Sequence, residues 1–188
     1  MLTNISLWLK KISNKWVMLL TLLIMILFMI TVLPGQAAAS EKEIGSSMSP
    51  DTSFFYLPGD LLQMTEDYGP DGRQSYIQSR WTFDLLFPLV YVSFLAVGIS
   101  WLYKTLVNPI RIFTLSNILP ILAGIFDYLE NSGSSLVMGL YPDLVPGLAL
   151  LTAVFSAVKW ILVGASFLAY FFLAGAAFYQ WLRSLKGK

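Results

Sequence analysis

Long uncharged apolar runs constrain this chain before anything else does. Residues 16–33 form eighteen consecutive positions without a charge. As a helix they would rise ~27 Å, about the thickness of a hydrocarbon core. Comparable stretches with few charges follow at about 81–104, 110–131 and 148–182. Lipid offers no partner to backbone amides and carbonyls, so a chain crossing it must satisfy them within helices. The pattern predicts an all-α membrane protein. Short connections between the last three runs make them antiparallel neighbours. The expected architecture is a single four-transmembrane-helix up-down bundle with a long first outer loop at 34–80.

Composition agrees. Of the 188 residues, 56% are hydrophobic and 12% charged, about half the usual charged share of a soluble domain. There is no Cys, which excludes disulfides, thiolate metal sites and palmitoyl anchors. There is no His either, so the usual proton carrier near neutral pH is missing. Acid–base chemistry would fall to a carboxylate, Lys or Tyr. No metal site and no cofactor is implied. Phosphate-loop, dinucleotide and nucleophile-elbow patterns are absent, and no basic patch suits nucleic acid.

The first run has two readings. A basic flank (Lys10, Lys11, Lys15), an apolar run and the small-residue segment 36–40 resemble a cleavable signal peptide. A signal's apolar region is normally only ~7–15 residues, which favours a retained span. Residues before it can form an interfacial amphipathic turn or two. In the loop, 34–51 reads as a linker and 54–58 as aromatics at headgroup level. Asp60 with Gln63 is a capping-box pattern opening a short helix over about 61–68. Residues 69–72 read as a tight turn. A helix from about Gly72 would then run straight into the second span, where Pro88 bends it. Pro120 is a second expected kink, and Asn117 an interhelical hydrogen-bonding group.

Charge placement orients the spans. Lys10, Lys11, Lys15, Lys104, Arg111, Arg183, Lys186 and Lys188 lie in segments that hold none of the eleven acidic residues. By the positive-inside rule both termini lie in the cytoplasm, N-in and C-in. Helix rise then places the charges inside the spans. Asp84 stands ~30 Å above Lys104, and Asp127 and Glu130 ~24 and ~28 Å above Arg111. Lys159 lies ~36 Å along its helix from Arg183. Arg80 is one turn from Asp84, and Asn131 one turn from Asp127. These groups meet in one outward zone. Ionisable groups inside spans pair and face the bundle interior, so Lys159 is expected to pair with Asp127 or Glu130, and Arg80 with a carboxylate. Two cations against three carboxylates leave one negative charge for a proton, a cation or a substrate.

Three readings of this cluster stay open. It binds a lipid or small molecule, with Arg73, Tyr76, Arg80, Asp84 and Asn131 as binding candidates. It catalyses acid–base chemistry at the outer leaflet, with Asp127, Glu130 and Lys159 as catalytic candidates. Or it only fixes the bundle's register. A transporter or channel is weaker, because a conduit needs polar residues in the inner half.

Several motifs also resemble an uncharacterised group of bacterial four-span integral membrane proteins. They are Tyr68-Gly-x-x-Gly72-Arg73-x-x-Tyr76, Arg80-x-Thr82-x-Asp84-x-x-x-Pro88-x-x-Tyr91, Asp127-x-x-Glu130-Asn131 and Lys159-Trp160. The likeness spans about residues 54–160. It implies a kept first span, recurrence of the polar positions together, and a bacterial inner (plasma) membrane. It implies no activity. Claudins and tetraspanins share the layout, but their loop cysteines are missing here. The expected function is an integral membrane protein with an outward polar cluster, binding a lipid or small molecule or serving as a subunit of a membrane complex. The alternative is a membrane-embedded enzyme. The expected partners are the bilayer, such a ligand, or a protein of the same complex.

Overall fold

The computed structural model describes residues 1–36, 38, 49–50 and 53–186. Among them all regular structure is helical and there is no strand. Four helical stretches are long and apolar enough to cross a membrane: Lys15–Gln36, Gly69–Thr105, Arg111–Leu140 and Pro146–Lys186. Most of the expected linker at 34–51, and most of the signal-like segment 36–40, lie outside the described residues.

Local chemistry sets the helix ends. Helix α1, Leu2–Ile12, closes where Lys104 Nζ donates to the carbonyls of Lys10 (2.6 Å) and Ser13 (2.8 Å). A cation there answers the negative end of the helix dipole. Helix α2, Lys15–Thr31, is capped by Asn14, whose Oδ1 accepts the Trp16 and Val17 amides at 2.9 and 3.1 Å. Helix α3, Pro58–Asp67, starts earlier than expected, because Pro58 suits a first helical turn. Asp60 therefore sits at the third helical position. Its carboxylate reaches back to the Leu57 amide at 2.7 Å, so its side chain closes the helix start from inside rather than from the cap.

Gly69 separates α3 from helix α4, Gly69–Arg80, by adopting φ +64°, a left-handed conformation that favours glycine. The segment 69–72 is thus a helix start, not a free turn. Helix α4 does not run straight into the next span either. The chain turns at Trp81–Thr82, where the Thr82 hydroxyl bonds the Gln78 carbonyl at 2.8 Å. Helix α5, Phe83–Thr105, begins after it and contains Pro88.

The third apolar stretch differs most from expectation. Two 3-10 turns, Arg111–Phe113 and Ser116–Ile118, precede helix α6, Leu119–Leu140. Pro120 explains the late start. In a helix running from residue 110, its ring would clash with the residue 116 carbonyl, whereas the first turn of a helix accepts it. Pro120 therefore begins a helix instead of kinking one. Helix α6 also continues past Asn131 through the Ser-Gly segment. Helix α7, Pro146–Lys186, is one helix of 41 residues, as the long last run suggested.

Two compact units divide the chain. One comprises residues 1–26, 90–123 and 161–188. Its core holds Ile99, Leu102 and Leu106 of α5 with Ala169 and Leu173 of α7. Contacts rise together along these two helices: Phe94 meets the Tyr170 ring (5.2 Å between centroids), and the Val107 amide meets Gln180 Oε1 at 3.2 Å. They run parallel here. Helix α1 is pinned by a buried network. Ser6 Oγ donates to Asn117 Oδ1 (2.7 Å), and Asn117 Nδ2 to Ser100 Oγ (2.8 Å). Asn117 thus makes the interhelical bond expected of it, from a 3-10 turn. Leu9 packs with Ala96 and Ile118 below this network.

The other unit comprises residues 27–89 and 124–160. Tyr56, Leu61, Met64, Tyr68, Tyr76, Val137, Met138, Ala149 and Ala153 form its core. Helices α6 and α7 run antiparallel in it. Phe126 faces Phe155 at 6.0 Å, and the bare Cα of Gly133 admits the Thr152 side chain. Phe28 of α2 lies on Phe83 and Phe87 at 5.5 and 5.8 Å.

Candidate functional site

The second unit buries Arg80, Asp84, Asp127, Glu130 and Lys159. Glu130 is 1% exposed, Arg80 6% and Lys159 7%, with Asp84 and Asp127 also buried. Burial of charge in a medium of low dielectric is tolerated when each charge is paired, and the pairs are present. Lys159 Nζ forms an ion pair with Glu130 Oε2 and lies 4.0 Å from Asp127 Oδ1. Arg80 reaches Asp84 at 2.9 Å.

Helix register builds this arrangement. Asp127, Glu130 and Asn131 occupy consecutive turns of one face of α6, and Asn131 Nδ2 donates to Asp127 Oδ1 at 3.4 Å. Thr152, Ser156 and Lys159 line one face of α7, all buried. The close approach at Gly133 and Thr152 brings the two faces together. Arg80 ends α4, one turn before Asp84 near the start of α5, and its guanidinium lies 4.5 Å from the Tyr76 ring centre. A cation over an aromatic face gains electrostatic attraction that strengthens with burial.

The loop adds a residue that the sequence reading placed elsewhere. By sequence Tyr56 groups with the interfacial aromatics of 54–58. It is buried, and its hydroxyl donates to Glu130 Oε1 at 3.2 Å. Its neighbours Phe54, Phe55 and Leu57 are exposed. Glu130 thus receives an amine on one oxygen and a phenol on the other. No signal in the sequence separates Tyr56 from the residues around it.

Of the residues singled out from sequence, Asp127, Glu130, Asn131 and Lys159 come together. Tyr76, Arg80 and Asp84 form an adjoining group through Tyr76, which shares a core with Tyr56. Arg73 is engaged elsewhere. It donates to the Thr65 carbonyl at 2.9 Å and stacks on Tyr141 at 4.0 Å, tying α3 to the turn after α6.

Three polar atoms beside the cluster have no hydrogen-bond partner among the described residues. They are the Ser135 and Ser156 hydroxyls and the Trp160 indole N–H, all buried. Ser135 stands one turn beyond Asn131, Ser156 one turn before Lys159, and Trp160 next to it. A buried orphan of this kind loses about 1–3 kcal/mol of hydration unless water or a ligand meets it. Among the described residues, no three carboxylates are grouped to hold a metal ion. Scans against protein-family models, curated proteins and solved structures return no match to this chain.

Proposed function

We propose that this chain is an integral membrane protein whose buried ionic cluster forms the receptor end of an outward-facing site for a polar small molecule or a lipid headgroup. The spans alternate in direction, with both termini on the cytoplasmic side. Supporting this are the antiparallel pairing of α6 with α7, the parallel pairing of α5 with α7, and the segregation of basic from acidic segments. The setting suggested by the sequence resemblance is a bacterial inner membrane.

The observation that carries the binding reading is the set of orphaned polar atoms around a cluster of net charge minus one. A cluster serving only as helix glue has no need of two buried hydroxyls and an indole N–H without partners. The excess charge suits a ligand that brings a proton or a cationic group, and the N–H and hydroxyls suit its oxygens. A second reading rests on Glu130, which holds the Lys159 amine and the Tyr56 hydroxyl at once. Three groups able to exchange a proton stand in contact there, as acid–base chemistry at the outer leaflet would require.

Native mass spectrometry of the protein, extracted gently from its own membrane, tests the proposal. A bound metabolite or lipid lost in a well-folded Ser156→Ala variant supports the site. A lone chain with nothing bound, and unchanged behaviour of that variant, overturns it. A stoichiometric protein partner instead makes the chain a subunit and the cluster an assembly device.

A further inference from the structure

The other unit carries an independent site. Its described residues include Lys10, Lys11, Lys15, Lys104, Arg111, Arg183 and Lys186, and not one acidic residue. Nothing in its own sequence neutralises them. Next to one of them, Arg111, lies an apolar cavity of about 740 Å³ that begins at Ile112. Its volume falls within the roughly 300–1,000 Å³ of ligand sites.

The sequence makes the cavity in a simple way. Ala165 and Ala169 follow one another by one turn on α7 and leave a furrow between Leu168, Phe171 and Phe172. The 3-10 turns before α6 form the opposite wall through Ile112, Phe113 and Leu115, with Phe113 stacked on Phe172 at 4.8 Å. Ser116 is the one polar residue of the lining, and its hydroxyl already bonds the Phe113 carbonyl at 2.8 Å. The interior therefore offers a ligand hydrocarbon contact and no hydrogen bond. Its occupant is an alkyl chain.

The rim offers the opposite. Arg111 opens the wall-forming turn and is exposed, and its guanidinium has no partner among the described residues. Lys10 of α1 donates to the Thr114 carbonyl of the same segment at 2.6 Å. The exposed side of α1 carries Leu7, Trp8, Lys11 and Ile12, the mixture of a helix lying in a membrane interface. The mouth of the cavity thus sits where headgroups lie, and it is cationic.

We propose that this furrow is a binding site for an anionic phospholipid, one acyl chain lying between the 3-10 turns and α7 and the phosphate meeting Arg111. Basic pockets beside membrane helices hold such headgroups. A second copy of this chain is a poorer occupant, since it would bring the same uncompensated positive charge to the same rim.

The full-length protein in mild detergent, equilibrated with equimolar phosphatidylglycerol and phosphatidylcholine and weighed by native mass spectrometry, tests this. Wild type is expected to retain one phospholipid and to prefer the glycerol form. Arg111→Gln is expected to lower that preference by about fivefold, the worth of one basic residue at an anionic surface. Ala165→Phe fills the furrow and removes the lipid. Ile112→Asp does the same from a position 82% exposed, where folding is not at stake. Arg183→Gln, outside the lining, keeps both lipid and preference. Equal retention of the two lipids by wild type, or unchanged retention in both Ala165→Phe and Ile112→Asp, overturns the proposal. So does a dimer that Ala165→Phe abolishes.

Discussion

Lys159 shows what the membrane demands of a single residue. Its ammonium is buried against Glu130 and near Asp127, and either carboxylate without it would be a buried uncompensated charge. Lys159→Met is therefore expected to destabilise the protein by about 3–5 kcal/mol, whereas Lys159→Met combined with Glu130→Leu recovers only part of that loss, because Asp127 still lacks its cation. Reversible unfolding in mixed detergent micelles checks both; a milder single than double variant would refute the pairing argument. Gly133 poses the steric counterpart. A Cβ there would overlap the Thr152 side chain, so Gly133→Ala is expected to cost about 1–3 kcal/mol. Thr152→Ala in the same chain should restore most of it, because it removes the overlapping atoms. The pairing of Lys159 could be read from sequence, since a charge in a span must find its opposite at the same height. Tyr56 could not, because nothing local marks which aromatic of a cluster turns inward.

At the scale of elements, α1 is tied to the neighbouring segments through a buried side chain, Asn117, as well as through the Lys104 cap. Asn117 joins Ser6 and Ser100 and is 1% exposed. Asn117→Ala removes its three buried hydrogen bonds to Ser6 and Ser100, at about 0.5–1.5 kcal/mol each, while the two hydroxyls keep the Thr114 and Ala96 carbonyls, and it loosens α1 from the 3-10 turn. Hydrogen exchange should then quicken over residues 2–12 while the amides of α5 stay protected. Equal protection of α1 in the variant would show that Leu9 and the Lys104 cap suffice. The existence of the helices was legible in the apolar runs. Their ends were less so. The run from 110 to 126 is broken only by Arg111, Thr114 and Ser116-Asn117, none of which stops a helix, whereas the steric demand of Pro120 on residue 116 moves the helix start to Leu119. The turn at Trp81–Thr82, by contrast, falls where the polar run Gln78-Ser79-Arg80 gives way to the apolar span.

For the molecule as a whole, the orientation proposed above has a clean test. The chain has no Cys, so one introduced thiol is the only reactive site. Asp143 and Lys186 are both exposed. A membrane-impermeant maleimide added to intact cells is expected to label Asp143→Cys and not Lys186→Cys, with both labelled after permeabilisation. Labelling of Lys186→Cys in intact cells would reverse the orientation and place the ionic cluster on the cytoplasmic face.

The sequence alone determined that this chain is helical, that four stretches match a bilayer, and that Asp127, Glu130 and Lys159 belong together. Each of these follows from one quantity that runs along the chain: hydropathy, rise per residue, or charge that lipid will not leave unpaired. Tertiary structure decided the rest. It brought Tyr56 onto Glu130, sent Arg73 to Thr65 and Tyr141, and left Ser135, Ser156 and Trp160 without hydrogen-bond partners among the described residues. It also opened a furrow over Ala165 and Ala169. These depend on which faces of which helices touch, and close packing sets that through shape, which no single stretch of sequence carries.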